Sequence, residues 1–273
     1  MTDINSKTVI QKQYGSDSNL ASRIRVKQAF STGKTGWADF LLQNFCLKSK
    51  QRVLELGCGN AVFWKAVSNR IPTDIRLVLS DVSQGMLDAA KKNTSELKFI
   101  EEYAVIDVQD IPYDNNSFDI IVANYMLGFV PNIDKALNEI SRVLKPNGVL
   151  FSANYGKYNL KEVDDIFAGF DSRTDAVVKA VCKAFGLENG AACLEKHFDS
   201  IQLQRYENNL HITELDSLIE YLLSYRGMGN VSEIISEDRI PLFVDYVTDI
   251  FSKNGFVDIT QDEGLFIAKH PIK

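Results

Sequence analysis

The chain has little of what covalent or metal-based frameworks need. Its four cysteines, Cys46, Cys58, Cys182 and Cys193, show no close pairing. That excludes a disulfide scaffold and leaves them as reduced core or turn residues. Of three histidines, His197, His211 and His270, only His197 stands near a cysteine, Cys193. One Cys–His pair is not a ligand set, so no metal is expected. No apolar run approaches the roughly 18 residues of a membrane span. Met1–Lys7 lacks the apolar core of a secretory signal. A cytoplasmic location with no membrane partner is therefore expected. A surplus of positive charge is also missing. The net charge of −6 argues against a nucleic-acid backbone as partner. No internal repeat or low-complexity linker is found.

What is present is an ordinary globular composition, 45% apolar and 24% charged over 273 residues, enough for one large domain with a lid. The charge is uneven. Residues 1–50 carry 8 Lys/Arg against 3 Asp/Glu, whereas the remainder carries 22 against 33. The first segment reads either as a solvated basic arm or as a cover that meets a carboxylate. Residues 8–30 look helical, with Ser18 as a cap, Leu20, Ala21 and Ile24 on one face, and Arg23 and Lys27 on another. The turn Ser31–Gly36 is superficially like a phosphate loop. It lacks the preceding apolar strand and the required spacing.

From Val53 the chain alternates. Strands are predicted at Val53–Leu56, Ile75–Asp81, Tyr103–Asp107, Ser117–Asn124 and Val149–Asn154. Helices are predicted between them: from Ala61 to a stop at Pro72 with Val62, Phe63, Ala66 and Val67 inward, over Met86–Asn93, and from an Asn132 or Asp134 cap to Leu144. Lys145–Gly148 reads as a stop and turn. This rhythm predicts an α/β fold, a doubly wound and mostly parallel sheet with helices on both faces. Such sheets bind ligands outside the carboxyl ends of their strands. The Gly57–Asn60 turn, Asp81, Asp107 and Asn124 all fall at that edge. After Asn154 the rhythm breaks into helices, a strand over Ser200–Tyr206, helices capped by Thr213 and Asp238, and a closing hairpin of Val257–Ile259 with Leu265–Ala268.

Two ligand classes suit a strand–glycine–helix opening followed by an acid. Asp81 lies 24 residues past Gly57, where an acid can accept two ribose hydroxyls. A dinucleotide cradle needs a third small residue, but Val62 stands there. Glu55 is also awkward beside a pyrophosphate.

Four ordered motifs resemble those of the class I S-adenosylmethionine-dependent methyltransferases, in the type 11-like small-molecule branch. They are Glu55-Leu56-Gly57-Cys58-Gly59, Asp81-Val82-Ser83-Gln84-Gly85-Met86-Leu87, Asp107-Val108-Gln109-Asp110-Ile111-Pro112-Tyr113 with Ser117-Phe118-Asp119, and Leu144-Lys145-Pro146-Asn147-Gly148. They cover about residues 50–155. The resemblance implies a seven-stranded Rossmann-like domain over 49–273. An N-terminal helical cover would occupy 1–48, with helical lid insertions at about 155–196 and 207–255. It implies S-adenosylmethionine as cofactor and S-adenosylhomocysteine as product. Gly57 and Gly59 would let the backbone pass the methionine part, with Cys58 and Asn60 completing the turn. Glu55 and the Asn124 carbonyl would meet the ammonium end. Asp81 would hold the ribose, Val82 and Met86 would flank the nucleoside, Asp107 would accept from the adenine amine, and the Val108 N–H would meet the ring. The family's third glycine position is Ala61 here, still small. Cys58 is expected to serve by its size, not by reactivity.

Methyl transfer can rest largely on placing a nucleophile, so a base is not required by the chemistry. The sequence names no catalytic residue, and His197 and His211 read as ordinary polar contacts. Ala123-Asn124-Tyr125-Met126 is not the turn of the enzymes that methylate DNA bases or glutamine. The expected acceptor is a small molecule methylated at O or N, in a pocket of Tyr14, Trp37, Tyr125, Phe129, Tyr155 and Arg226. A nicotinamide dehydrogenase and a non-enzymatic cofactor-binding protein are the alternatives.

Overall fold

A computed structural model describes residues 18–175 and 179–273. One seven-stranded sheet runs through them in the order β3-β2-β1-β4-β5-β7-β6. The strands are β1 Arg52–Leu56, β2 Arg76–Asp81, β3 Ile100–Val105, β4 Phe118–Val122, β5 Leu144–Tyr155, β6 Phe198–Ile212 and β7 Val257–Pro271. All neighbours are parallel except β7, which runs antiparallel to both β5 and β6. β1 and β2 are apolar on both faces because helices cover both. Leu54 and Leu56 enter one apolar cluster, while Val53 joins Trp64, Leu77 and Leu79 in the cluster on the other face.

Local signals set the best-defined elements. The helix Ile133–Val143 starts at Asn132, whose side chain accepts from the Lys135 N–H at 3.0 Å. It buries Ala136, Leu137, Ile140 and Val143, one stripe at helical spacing. Pro241 lies in the first turn of the helix Ile240–Ser252, where its missing N–H costs nothing. Helix caps were read less well further along. Glu214 and Arg239, not Thr213 and Asp238, occupy the cap positions, and neither makes a side-chain cap bond.

Several expectations are corrected. The helix after β1 spans Val62–Val67 and turns its Trp64 inward, leaving Ala66 exposed. A tertiary partner, the Glu55 carboxylate, decides that face. Lys145–Gly148 is a looped-out bulge within β5 rather than an end. The register steps from Phe118↔Leu144 to Ile120↔Val149, so three extra residues are absorbed. The closing hairpin does not form. Val257–Pro271 is one strand, and its hairpin-like partner is the equally long β6. Residues 207–212, expected in a lid insertion, belong to β6.

The segments outside the sheet build an apolar cluster of their own. Val26, Leu160, Val163, Phe167, Leu218, Tyr221, Phe243 and Val247 are among its buried members. The helix Ser18–Phe30 packs on the helix Leu215–Leu223. Ser22 donates to Glu220, and Arg25 forms an ion pair with it. Of the two readings of the basic segment, a solvated arm does not describe Arg23: it is buried, its Nε donates to the Asn19 carbonyl, and its guanidinium lies 5.0 Å from the Tyr225 ring centre. The Thr32–Gly33 turn is fastened to β6. The Thr32 N–H meets the Asn209 carbonyl at 2.9 Å and the Gly33 N–H meets Asn208 Oδ1 at 2.8 Å.

Candidate active site

The carboxyl ends of β1, β2 and β4 meet at the glycine turn. Residues Gly57, Gly59 and Ala61 all hold positive φ, at 67°, 54° and 54°. The Cys58 N–H bonds the Ser80 carbonyl at 2.8 Å, which ties the turn to β2. A Cβ on Gly57 would lie 2.9 Å from Met126 Cβ, and one on Gly59 would lie 3.1 Å from Leu20 Cδ2. The turn is thus pressed between the segment after β4 and the helix Ser18–Phe30. Neither Met126 nor Leu20 is expected at the glycine turn from the sequence. Nothing in an apolar residue's type announces a contact with a distant glycine.

Asp81 ends β2 with its carboxyl against the turn. One oxygen accepts the Gly59 N–H at 3.0 Å and the other the Ser83 N–H at 2.9 Å. Burial raises its pKa while these donors oppose the rise. Each oxygen retains a lone pair, so the group can still accept from ligand hydroxyls. Val82 follows with an exposed apolar side chain, 38% accessible. Met86, by contrast, is buried at the start of the helix Gln84–Thr94, where its N–H is capped by Ser83. Asp107 lies just past β3, and its carboxylate accepts the Gln109 N–H and side-chain amide at 3.0 and 3.1 Å. Val108 places its side chain in the core. Asn60 is buried, and its carbonyl accepts from Asn93. The Asn124 side chain accepts from the Ala153 N–H at 3.3 Å.

Glu55 is buried within β1 and accepts the Trp64 indole N–H at 2.6 Å. Burial pushes its pKa up to about 8, opposed by the indole and reinforced by Asp81. The Cys58 thiol is pushed well above its usual range by burial and by the Glu55 and Asp81 charges, which suits a size-filling role.

Of the residues expected to line an acceptor pocket, Trp37, Tyr125 and Tyr155 come together. Tyr125 stacks on Tyr155 with ring centres 4.5 Å apart and lies 5.3 Å from Trp37. Two partners were missed from sequence. Tyr206 packs edge-on to Trp37 at 5.0 Å, and Glu263 sits between Tyr155 and Tyr206 in the register. Lys27 forms an ion pair with Glu263 and stands 5.7 Å from the Tyr125 ring centre. Burial first, then the Glu263 charge, raises Tyr125 well above an ordinary phenol. The same two causes, in that order, lead the rise of Tyr206 to about 12. Arg226 does not join this group; it donates to the Ile235 carbonyl and pairs with Glu237 at 2.9 Å. Phe129 packs against the cluster outside the sheet. Tyr14 lies outside the described residues. His197 stands 3.9 Å from Asp134, and His211 bonds Asp258 at 2.7 Å. Among the described residues no three His, Cys, Asp or Glu side chains group as a metal site, and no helix is long and apolar enough to cross a membrane.

The donor set fits S-adenosylmethionine. It offers an acid with spare lone pairs for ribose, an apolar neighbour for a base, glycines for close approach and a buried carboxyl that can answer an ammonium. The strand order also departs from the dinucleotide order 3-2-1-4-5-6 through the reversed β7. Residues 54–152 match the methyltransferase domain family. A demethylmenaquinone methyltransferase of Staphylococcus epidermidis is 30% identical over 114 residues, which is 42% of this chain and 47% of that protein. The chain spans about half the length of the curated relatives it matches. Among solved structures, the YcgJ protein of Bacillus subtilis superposes with a TM-score of 0.57 at 18% identity, covering 86% of this chain and 98% of its own. The phosphoethanolamine N-methyltransferase 2 of Haemonchus contortus in complex with S-adenosylmethionine gives a TM-score of 0.59 at 16% identity, covering 97% of this chain and 60% of its own. Over residues 54–152, sequence match, strand order and donor chemistry agree with a methyltransferase domain.

Proposed function

We propose that the protein transfers the methyl group of S-adenosylmethionine to a small-molecule acceptor at O or N. The single observation that carries this reading is the convergence at the sheet edge. The glycine turn, the Asp81 carboxyl and Asp107 line one side, and the Tyr125–Tyr155 rings begin immediately after Asn124 on the other. In this reading Asp81 holds the ribose hydroxyls, Val82 lies against the nucleoside and Asp107 meets the adenine amine. Gly57 and Gly59 admit the methionine part, and Glu55 with the Asn124 carbonyl answers its ammonium. Because Met86 is buried, it supports the nucleoside from within the core rather than through an exposed face.

The bound sulfonium supplies an activated methyl with a good leaving group. The chain's own contribution is position and exclusion of water. Holding an acceptor in line lowers the barrier by up to roughly 7–11 kcal/mol. Leu20 over Gly59 and the Trp37–Tyr125–Tyr206 rings close the site against solvent. On this reading residues 1–48 act as the cover and the helices outside the sheet as the acceptor-shaping lid.

Calorimetry with S-adenosylhomocysteine should give one site per chain. Asp81→Ala should weaken it by about a hundredfold to ten-thousandfold, since a charge-assisted pair of hydrogen bonds contributes about 1.5–3 kcal/mol for each bond lost. Full-strength binding by that variant would refute the cofactor assignment. Turnover against phenols, amines and carboxylates then separates an enzyme from a cofactor-binding protein.

A further inference from the structure

The acceptor side contains a buried carboxylate whose cation is replaceable, and this inference rests on the methyl-transfer reading above. Glu263 is 2% exposed on β7. Its direct cross-strand partners are Tyr155 of β5 and Tyr206 of β6. Antiparallel partners project to one face, so the carboxylate stands between two phenol rings. Tyr125 and Trp37 extend the ring set. Into it reaches the Lys27 ammonium, paired with Glu263 and placed over Tyr125. A carboxylate and aromatic faces around an ammonium recognise an organic cation.

The two members of the ion pair are not equally fixed. Glu263 belongs to a central strand with neighbours on both sides and cannot leave. Lys27 is 29% exposed on a long flexible stem and can swing to water. The helix that carries it is held independently: Ser22 and Arg25 both engage Glu220, and Val26 is buried. A buried carboxylate stripped of its cation is strongly destabilising. Whatever displaces Lys27 must therefore bring positive charge. A phenol or a carboxylate does not.

We propose that Glu263 is the acceptor-binding carboxylate and that the methyl acceptor carries an ammonium group. That group takes the place Lys27 Nζ holds here among Trp37, Tyr125, Tyr155 and Tyr206.

The test is calorimetry on protein loaded with S-adenosylhomocysteine, titrated with phenethylamine, phenethyl alcohol and hydrocinnamate. The amine should bind more tightly than the alcohol and the acid by about tenfold or more. Glu263→Gln should weaken the amine by about a hundredfold and leave the affinity for S-adenosylhomocysteine unchanged. Lys27→Met should tighten the amine, because the competing cation is gone. The double variant Lys27→Met/Glu263→Gln holds no buried charge, which protects its fold, and should bind amine and alcohol alike. Equal binding of amine and alcohol by the wild type would overturn the proposal. So would full amine affinity in Glu263→Gln, or loss of the amine in Lys27→Met. Failure of the wild type to bind S-adenosylhomocysteine is read in the first titration. It would overturn the methyl-transfer reading and this proposal with it.

Discussion

Replacing Gly57 by alanine meets two separate obstacles, and the structure allows them to be separated. The first is conformational: Gly57 has φ 67°, where a Cβ costs about 1–2 kcal/mol. The second is contact. The new Cβ would lie 2.9 Å from Met126 Cβ and 3.1 Å from its Cγ. Met126 cannot turn its Cβ aside without moving backbone, so overpacking adds about 1–3 kcal/mol. Gly255 provides the control. It ends the helix Ile240–Ser252 at φ 74° with nothing within 4 Å of its Cβ position. Gly255→Ala should therefore cost about 1–2 kcal/mol and Gly57→Ala about 2–5 kcal/mol. Urea denaturation of both variants measures the difference. A double-mutant cycle with Met126→Gly should show a coupling of about 1–3 kcal/mol, since that change removes both opposing atoms. Gly57→Ala should also weaken S-adenosylhomocysteine, whereas Gly255→Ala should not. Equal costs for the two glycines, or additivity with Met126→Gly, would refute the reasoning.

Two further outcomes are expected. Glu55 has a folded-state pKa near 8 against an ordinary 4.5, so the native state binds the extra proton. Stability from this group is complete below the ordinary value and is lost as pH rises from about 4.5 through about 8, to the extent of a few kcal/mol. Glu55→Gln keeps an acceptor for Trp64, so urea midpoints should match wild type near about pH 5 and exceed it near about pH 8; a parallel pH profile would show that Glu55 does not titrate this way. Gly128→Ala would put a Cβ 2.4 Å from Val181 Cγ1 and 2.8 Å from the Val181 carbonyl oxygen. It should cost about 1–3 kcal/mol, with only partial relief from Val181→Ala because the carbonyl remains; complete relief would mean the carbonyl is not the limiting contact.

The glycine turn was legible because its signals are local. An apolar strand, glycines at the turn and an acid at the end of the next strand each state their role within a few residues. β7 was not. Gln261-Asp262-Glu263-Gly264 reads as a turn, yet its first three residues each find a distant partner. The Gln261 N–H meets Asn209, Asp262 pairs with Arg205 and Glu263 with Lys27. Those partners come from β6 and from the helix Ser18–Phe30, so no window of sequence contains them. Ala66 was misplaced inward for the same reason, since the helix is turned by the bond between Trp64 and Glu55.

The sequence by itself determined the alternation that makes a doubly wound sheet and the glycine turn with the acid that follows it. Both rest on periodicity and on the backbone needs of a turn, which neighbouring residues express. Only the tertiary structure brings together the proposed acceptor half. There Lys27, Trp37, Tyr125, Tyr155, Tyr206 and Glu263 arrive from six segments. A buried charge can be kept only where folding brings its counter-charge to it.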